Sequence, residues 1–540
     1  VDALLLRLAR PIEGRVARRL RVRQPGWKKS TGACPACLHE AVQHANAERS
    51  ADSLHRELQV AYPIFARDEA RRLLPTPLRV RAHPHYTGHG VTIAFLDSGF
   101  YPHPDLVRPH NRIVCYADAT GSETIEKENF RRADVASWHG LMTTCVGAGT
   151  GFMSDGLYHG PARGANLVLV KTGNRRGRRI RENDIFRALL WTIYNRERFN
   201  IRVVNISLGG DMPSIGAYTY LDALVEEAVA QGMVVVAAAG NSGREAVFPP
   251  ASAPSVITVG GVNDQNSIDP ARRRMWHSNY GRGVVEVPKP DLIAPAIWLA
   301  APMLPHTATH NEAKFLWELE NLPDQELQHF VSTRYAEIRF RKETLRKPLK
   351  EVRRVIRAKM IAQKFIHPHY QHVDGTSMAA PLISGVVAQM LEANPNLTPA
   401  KVKELLTATA DPLEDVDVMR QGAGVVNGAR AVAAALRAAG GALAGLPTSP
   451  HITPEGVTFY YHNDSASEVA IVGSFNRWQT RRGKMHRLRA GVWKFFLPLP
   501  EVGQVYPYKF VVNHTRWVND PENPNIIEDG CGGFYSLLEV

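Results

Sequence analysis

The sequence predicts an α/β domain whose parallel sheet is covered by helices on both faces, followed by a smaller all-β sandwich. Three observations predict it. Continuous apolar runs recur at Val91–Leu96, Leu167–Val170, Val203–Ile206, Met233–Ala239 and Val256–Val259, and runs without polar alternation suit strands buried on both sides. Helical stretches at 182–195 and 220–231 lie between them, the alternation that builds parallel βαβ units. Beyond 454 the pattern turns to short aromatic-rich strands broken by Gly, Asn and Pro.

The elements follow in order. Residues 1–79 read as a basic helical region with a break near Pro25-Gly26. Within it, Cys34-Pro-Ala-Cys37 with His39 and His44 offers four ligand types for zinc, but ordinary thiols at a helix start are the commoner reading of a single CxxC. Residues 80–435 hold the α/β pattern, interrupted at about 303–370 by a polar, basic, helical insertion. Residues 436–453, rich in Ala, Gly and Pro, read as a linker, and 454–540 as the sandwich.

The chain has 540 residues and a net charge of +13, and the excess is local. Residues 1–29 carry nine Lys/Arg against two acids, and residues 334–364 carry twelve against three. Solvated helical faces account for such runs, so no nucleic-acid partner is predicted. Five scattered cysteines are no disulfide framework. No run of 18 apolar residues occurs, so no membrane span is predicted. The expected compartment is the cytoplasm, with secretion as the alternative if a signal segment is missing from this chain.

Chemistry gathers where such sheets keep it, at the carboxyl ends of strands. Asp97 ends the first apolar run, in Asp97-Ser-Gly-Phe-Tyr-Pro-His-Pro-Asp-Leu106. Asn205 and Ser207 lie in another run, and Asn241 follows a third. His139 heads a helical stretch with small residues behind it. Asp374-Gly-Thr-Ser377-Met-Ala-Ala-Pro381 sets a Ser at a helix start, where free N–H groups point outward. Peptide hydrolysis needs a nucleophile, a base, a group that fixes the base, and donors for an oxyanion.

These segments, in the order Asp, His, Ser, resemble the subtilases, and that chain order is a known property of the subtilisin triad. Val203–Gly210, Ala237–Gly243, Ser278–Gly281 and Lys289–Pro295 agree with the same family. The resemblance implies a subtilisin-like fold and a serine endopeptidase acting through an acyl-enzyme. In it Ser377 is the nucleophile, His139 the base and Asp97 its orienting carboxylate. Asn241 is the oxyanion donor, and Ser207, Leu208 and Gly209 pair with the substrate backbone. It requires no cofactor and no catalytic metal, and it leaves a structural calcium ion open at Asp105, which matches a family calcium ligand. Three departures stand out. Ala296 replaces a usual Gly, Leu141-Met142 follow His139-Gly140, and the loop at 149–158 is no clear match to the calcium loop.

The insertion lies just before the nucleophile, so both its ends are expected on the active-site side. It reads as a lid or docking surface, or as a peripheral hairpin. The tail resembles a glycogen-binding module of the family 48 type, with an immunoglobulin-like sandwich, through Gly456–Tyr460, Val472–Trp478, Tyr508–Val512 and Trp517–Pro521. The resemblance implies α-glucan contacts at Trp478, Lys509 and Trp517. An Asn expected near the last strand is here Tyr535 or Ser536. The alternatives to a glucan-tethered protease are a glucan-binding scaffold with a gated protease domain, and a protease whose tail mediates protein assembly.

Overall fold

The computed structural model describes residues 73–540 except 84–85, 128–135, 174–179, 211–217, 334–347, 440–443, 490, 499, 501–503, 524 and 529–533. The Cys34–Cys37 motif, the basic N-terminal region and the core of the basic run at 334–347 lie outside these residues. The described chain divides into two compact units that meet in sequence between Gly428 and Ala429.

The first unit is built on a mostly parallel sheet. Its strands are β1 (Thr92–Asp97), β2 (Ile113–Asp118), β3 (Ile125–Glu126), β4 (Asn166–Lys171), β5 (Ile201–Ile206), β6 (Val234–Ala238) and β7 (Ile257–Asn263), with an edge strand Leu292–Pro295. The spatial order is Leu292–Pro295, β7, β6, β5, β1, β4, β2, β3. Neighbours are parallel from that edge strand through to β2; β3 pairs antiparallel with β2, and the two-residue strand Arg274–Met275 pairs antiparallel with β7. All six residues of β1 are buried, as expected of a strand covered on both sides. Chain order reverses beside β1, so the carboxyl ends of β6, β5 and β1 open onto one crevice.

Helices Glu182–Tyr194 and Tyr220–Ala230 fall where the periodicity sets them. Two further helices hold the residues expected to act as base and nucleophile, His139 and Ser377. The base helix, Ser137–Ala148, and the nucleophile helix, Thr376–Ala393, are buried along most of their lengths and pack on each other. Small residues permit this. A Cβ on Gly147 would sit 2.7 Å from the Pro381 carbonyl oxygen.

The insertion is a small helical layer with its own core. Helices Ala308–Asn321, Asp324–Thr333 and Leu349–Ala362 bury Leu316, Leu319, Leu327, Val352 and Ile356 together. Its basic helix is not an open cationic face. Arg353 pairs with Asp324, Arg357 with Glu320 and Lys359 with Glu312. At its root, Tyr370–Val373 pairs antiparallel with Leu299–Pro302 on one side and Phe365–His367 on the other.

The second unit is a two-sheet sandwich. One sheet orders His451–Thr453, Gly456–His462, Val492–Pro498 and His486–Arg489; the other orders Val469–Gly473, Val505–Val512, Phe534–Glu539 and Ile526–Glu528, with Arg516–Val518 added beside Val505–Val512. Phe459, Tyr461, Ile471, Tyr508, Phe510 and Leu538 fill the space between them. The segment 436–453 differs from the free linker its composition suggests. A helix runs to Ala438, His451–Thr453 is a strand, and Arg437 reaches both Glu522 oxygens at 2.6 Å. Ser449 donates to Asp520 at 2.7 Å. Composition predicts backbone freedom, but buried acids further along the chain capture this segment.

Candidate active site

Asp97 ends β1 with its side chain fully buried, and burying a carboxylate is costly unless donors surround it. Oδ1 accepts from the Ser98 backbone N–H at 2.6 Å and from His139 Nδ1 at 2.7 Å. Oδ2 accepts from Thr143 Oγ1 at 2.9 Å. His139 and Thr143 are four residues apart on the base helix, so they share a face. This helix comes close because residue 140 is Gly: a Cβ there would lie 2.1 Å from the Gly99 carbonyl oxygen.

Burial lowers the basicity of His139, but the Asp97 charge and hydrogen bond outweigh it, and the net shift is upward. The Nδ1–H faces Asp97, which fixes the tautomer and leaves Nε2 as the basic nitrogen. The ring is partly exposed, with its side chain at 20%.

Ser377 lies in the first turn of its helix, after Gly375 with φ +132°, a backbone conformation that favours glycine. Pro381 stands four residues on and has no N–H, so the Ser377 carbonyl lacks its helical donor. Ser207 Oγ donates to that carbonyl instead at 3.0 Å. Ser207 is held by the Asn205 amide at 3.1 Å, and Asn205 by Ser384 at 3.0 Å. The Ser377 hydroxyl itself points to the Ser207 carbonyl, 3.4 Å away, and makes no hydrogen bond with His139.

Asn241 follows β6 in an exposed loop. Its Oδ1 accepts from the Thr376 backbone N–H at 2.9 Å and from Thr376 Oγ1 at 2.8 Å. With Oδ1 fixed by two donors, the amide cannot flip without losing both, so Nδ2 turns away from Thr376 as a donor. Asn279 pins the same loop through Ser242, whose N–H and hydroxyl it accepts at 2.8 and 2.7 Å. Beyond β5, Ser207 is buried, Leu208 half-buried and Gly209 exposed.

Two groups thus form, Asp97 with His139 and Thr143, and Ser377 with Ser207, Thr376 and Asn241, on helices that pack against each other. Sequence reasoning missed Thr143 and Thr376. The spacing from His139 to Thr143 was a usable signal. Nothing local announces that Thr376 orients an amide 135 residues away.

In the sandwich, Trp478 and Tyr535 pack with ring centroids 5.1 Å apart, and Lys509 Nζ lies 5.3 Å from the Tyr535 ring centre. Lys509 and Val511 are two apart on one strand and share a face. Trp517 is opposite Val511 in the ladder, so it joins that face. Tyr535, at the end where an Asn was expected, thus stands between Trp478 and Lys509.

Comparison with known proteins gives the family of each part. Residues 88–427 match the subtilase family, Peptidase S8, and residues 447–522 match carbohydrate-binding module 48, the isoamylase N-terminal domain. Serine protease AprX of Bacillus subtilis is 31% identical over 418 residues, covering 75% of this chain and 78% of the relative. Subtilisin BL of Lederbergia lenta is 30% identical over 212 residues, 39% of this chain and 65% of its own length. A solved protease from Pseudoalteromonas arctica superposes with a TM-score of 0.44 at 22% identity, covering 67% of this chain and 93% of that one. The chain belongs to the subtilase family of serine peptidases and carries a family 48 carbohydrate-binding module at its C-terminal end.

Proposed function

We propose that this subtilase is an endopeptidase that works through Ser377, His139, Asp97 and Asn241 and is tethered to α-glucan by its C-terminal module. The observation that carries the catalytic half is the closed cradle around Asp97, with His139 Nδ1 at 2.7 Å and Thr143 on the other oxygen. Ser377 Oγ leaves the Ser207 carbonyl, gives its proton to His139 Nε2 and attacks the scissile carbonyl carbon. The Asn241 amide and the Ser377 backbone N–H stabilise the oxyanion; one such donor contributes about 10²–10³ in turnover. The imidazolium then protonates the leaving amine, and water repeats the sequence on the acyl-enzyme. Substrate backbone adds as a strand along Ser207–Gly209.

The glucan half rests on Trp478 and Trp517, which are half-buried, with Lys509 and Tyr535 buried beside them. Flat rings suit the C–H faces of sugars, and an ammonium suits their hydroxyls.

A fluorophosphonate probe tests the first half. It should label the wild type and not Ser377→Ala, and cleavage-site profiling should show cuts that vanish in the same variant. An unlabelled, folded wild type overturns the protease reading and favours the gated scaffold. Sedimentation with glycogen tests the second half. Retention that falls at least tenfold in Trp478→Ala and in Trp517→Ala supports tethering. Absence of wild-type retention leaves assembly with protein as the module's role.

A further inference from the structure

Asp105 lies in the short helix Pro104–Val107, and its side chain is wholly buried. Oδ1 accepts from the Met153 backbone N–H at 3.1 Å, and Oδ2 accepts from the Tyr370 hydroxyl at 2.7 Å. Tyr370 comes from the strand that closes the insertion, and it too is fully buried, among Leu73, Tyr158, Ala300 and Ile366. Around the carboxylate stand His103, with Nδ1 3.4 Å from Oδ1, and the buried Cys145. Ligand atoms of His103, Asp105 and Cys145 fall within 4.8 Å of one another. The Arg112 guanidinium donates to the Asp105 carbonyl at 2.9 Å and to the Ala165 carbonyl at 3.2 Å.

This surrounding does not fit calcium. Calcium takes six to eight oxygens, mostly carboxylate and carbonyl. Here one carboxylate is present, both its oxygens already hold donors, and the nearest side chains offer nitrogen and sulfur. A positive charge is already in place. The buried Arg112 guanidinium bonds the Asp105 backbone.

We infer that Tyr370, delivered by the closing strand of the insertion, stands where the family resemblance suggests a calcium ion. The peptidase unit is then independent of calcium for its stability and dependent on the insertion. The insertion is a structural part of the unit at this point. Its root hydrogen-bonds to the segment that runs from Asp97 to Asp105, and its Lys364 pairs with Asp374, three residues before Ser377.

The test uses the full chain with Ser377→Ala, so that autolysis cannot differ between buffers. Thermal unfolding is followed in excess EGTA and in millimolar calcium. The expected result is one and the same midpoint for the peptidase transition in both. Tyr370→Phe should lower that midpoint by about 2–4 °C, from loss of a hydrogen bond to a buried carboxyl group. In an Asp105→Asn background the same change should cost less than half as much. Metal analysis after dialysis covers the case in which the variants fail to fold, and no stoichiometric divalent ion is expected. A midpoint that rises several degrees with calcium, or one equivalent of calcium or zinc retained per chain, overturns the inference. So does a Tyr370→Phe midpoint equal to that of the parent.

Discussion

Replacing Asp97 by Asn removes the negative charge that touches the imidazole while keeping the shape of the side chain. The local geometry says which way the amide must face. The Ser98 N–H, 2.6 Å from Oδ1, needs an acceptor, so the amide oxygen takes the Oδ1 position. The amide nitrogen then faces Thr143, whose hydroxyl can accept from it while donating to the Gly140 carbonyl, 3.1 Å away. His139 therefore keeps its Nδ1–H tautomer, and the loss is one of charge. At about 4 Å between charge centres and an effective dielectric near 20, that interaction is worth about 4 kcal/mol in an imidazolium-forming transition state. The expected fall in kcat/KM is about 10³-fold; in a related triad, where the tautomer is also disturbed, the loss is about 10⁴. The acid limb should move as well. In the wild type the Asp97 charge holds the His139 pKa above its ordinary value against burial. Without that charge only burial remains, and the limb shifts to lower pH. Kinetics on a chromogenic peptide across the pH range measure both effects. A loss under about tenfold, or a limb that stays in place, would refute the reasoning.

Three further outcomes are expected. Asp291 holds two ammonium groups, Lys289 at 2.9 Å and Lys403 at 2.7 Å, so Asp291→Ala should cost about 3–5 kcal/mol in urea unfolding. Burial lowers Lys289 to about 8 even with Asp291 holding it up, so without Asp291 the lysine should shed its proton below that pH, and part of the loss should return as pH rises towards about 8. Gly140→Ala places a methyl 2.1 Å from the Gly99 carbonyl oxygen and should cost about 1–3 kcal/mol or more, with proteolytic activity falling further than the thermal midpoint explains. In the sandwich, burial, with Glu522 adding to it, raises Asp520 from 3.8 to about 7. The folded state thus favours the neutral acid, so its contribution to stability is complete below pH 3.8 and is lost as pH rises through about 7. Denaturant midpoints of the sandwich transition should fall over that window in the wild type, and the fall should flatten in Asp520→Asn.

The insertion changes meaning between sequence and structure. Its composition and position fit a lid over the crevice. The structure adds a root that is paired strand to strand with Leu299–Pro302 and tied to Asp105 through Tyr370. Deleting 305–368 to test for a lid would leave Tyr370 in the chain but remove Ile366, which packs beside it. Activity of that deletion is therefore interpretable only beside its thermal midpoint.

Sequence alone determined the sheet, the strand ends and the chemical types of the site. Apolar runs report burial on both faces, and residues such as Asp97, Asn241 and Ser377 sit beside turn and cap signals only a few positions long. Such information is local, and a one-dimensional pattern carries it. Tertiary structure decided everything that depends on which distant groups meet. Thr376 aims the Asn241 amide, Ser207 supplies the donor that Pro381 withholds, and Tyr370 reaches Asp105 across 265 residues. The same holds for the face where Tyr535 stands between Trp478 and Lys509. Each of these contacts satisfies a buried or crevice-lining polar group, and the partner is chosen by packing rather than by any signal in the residues beside it.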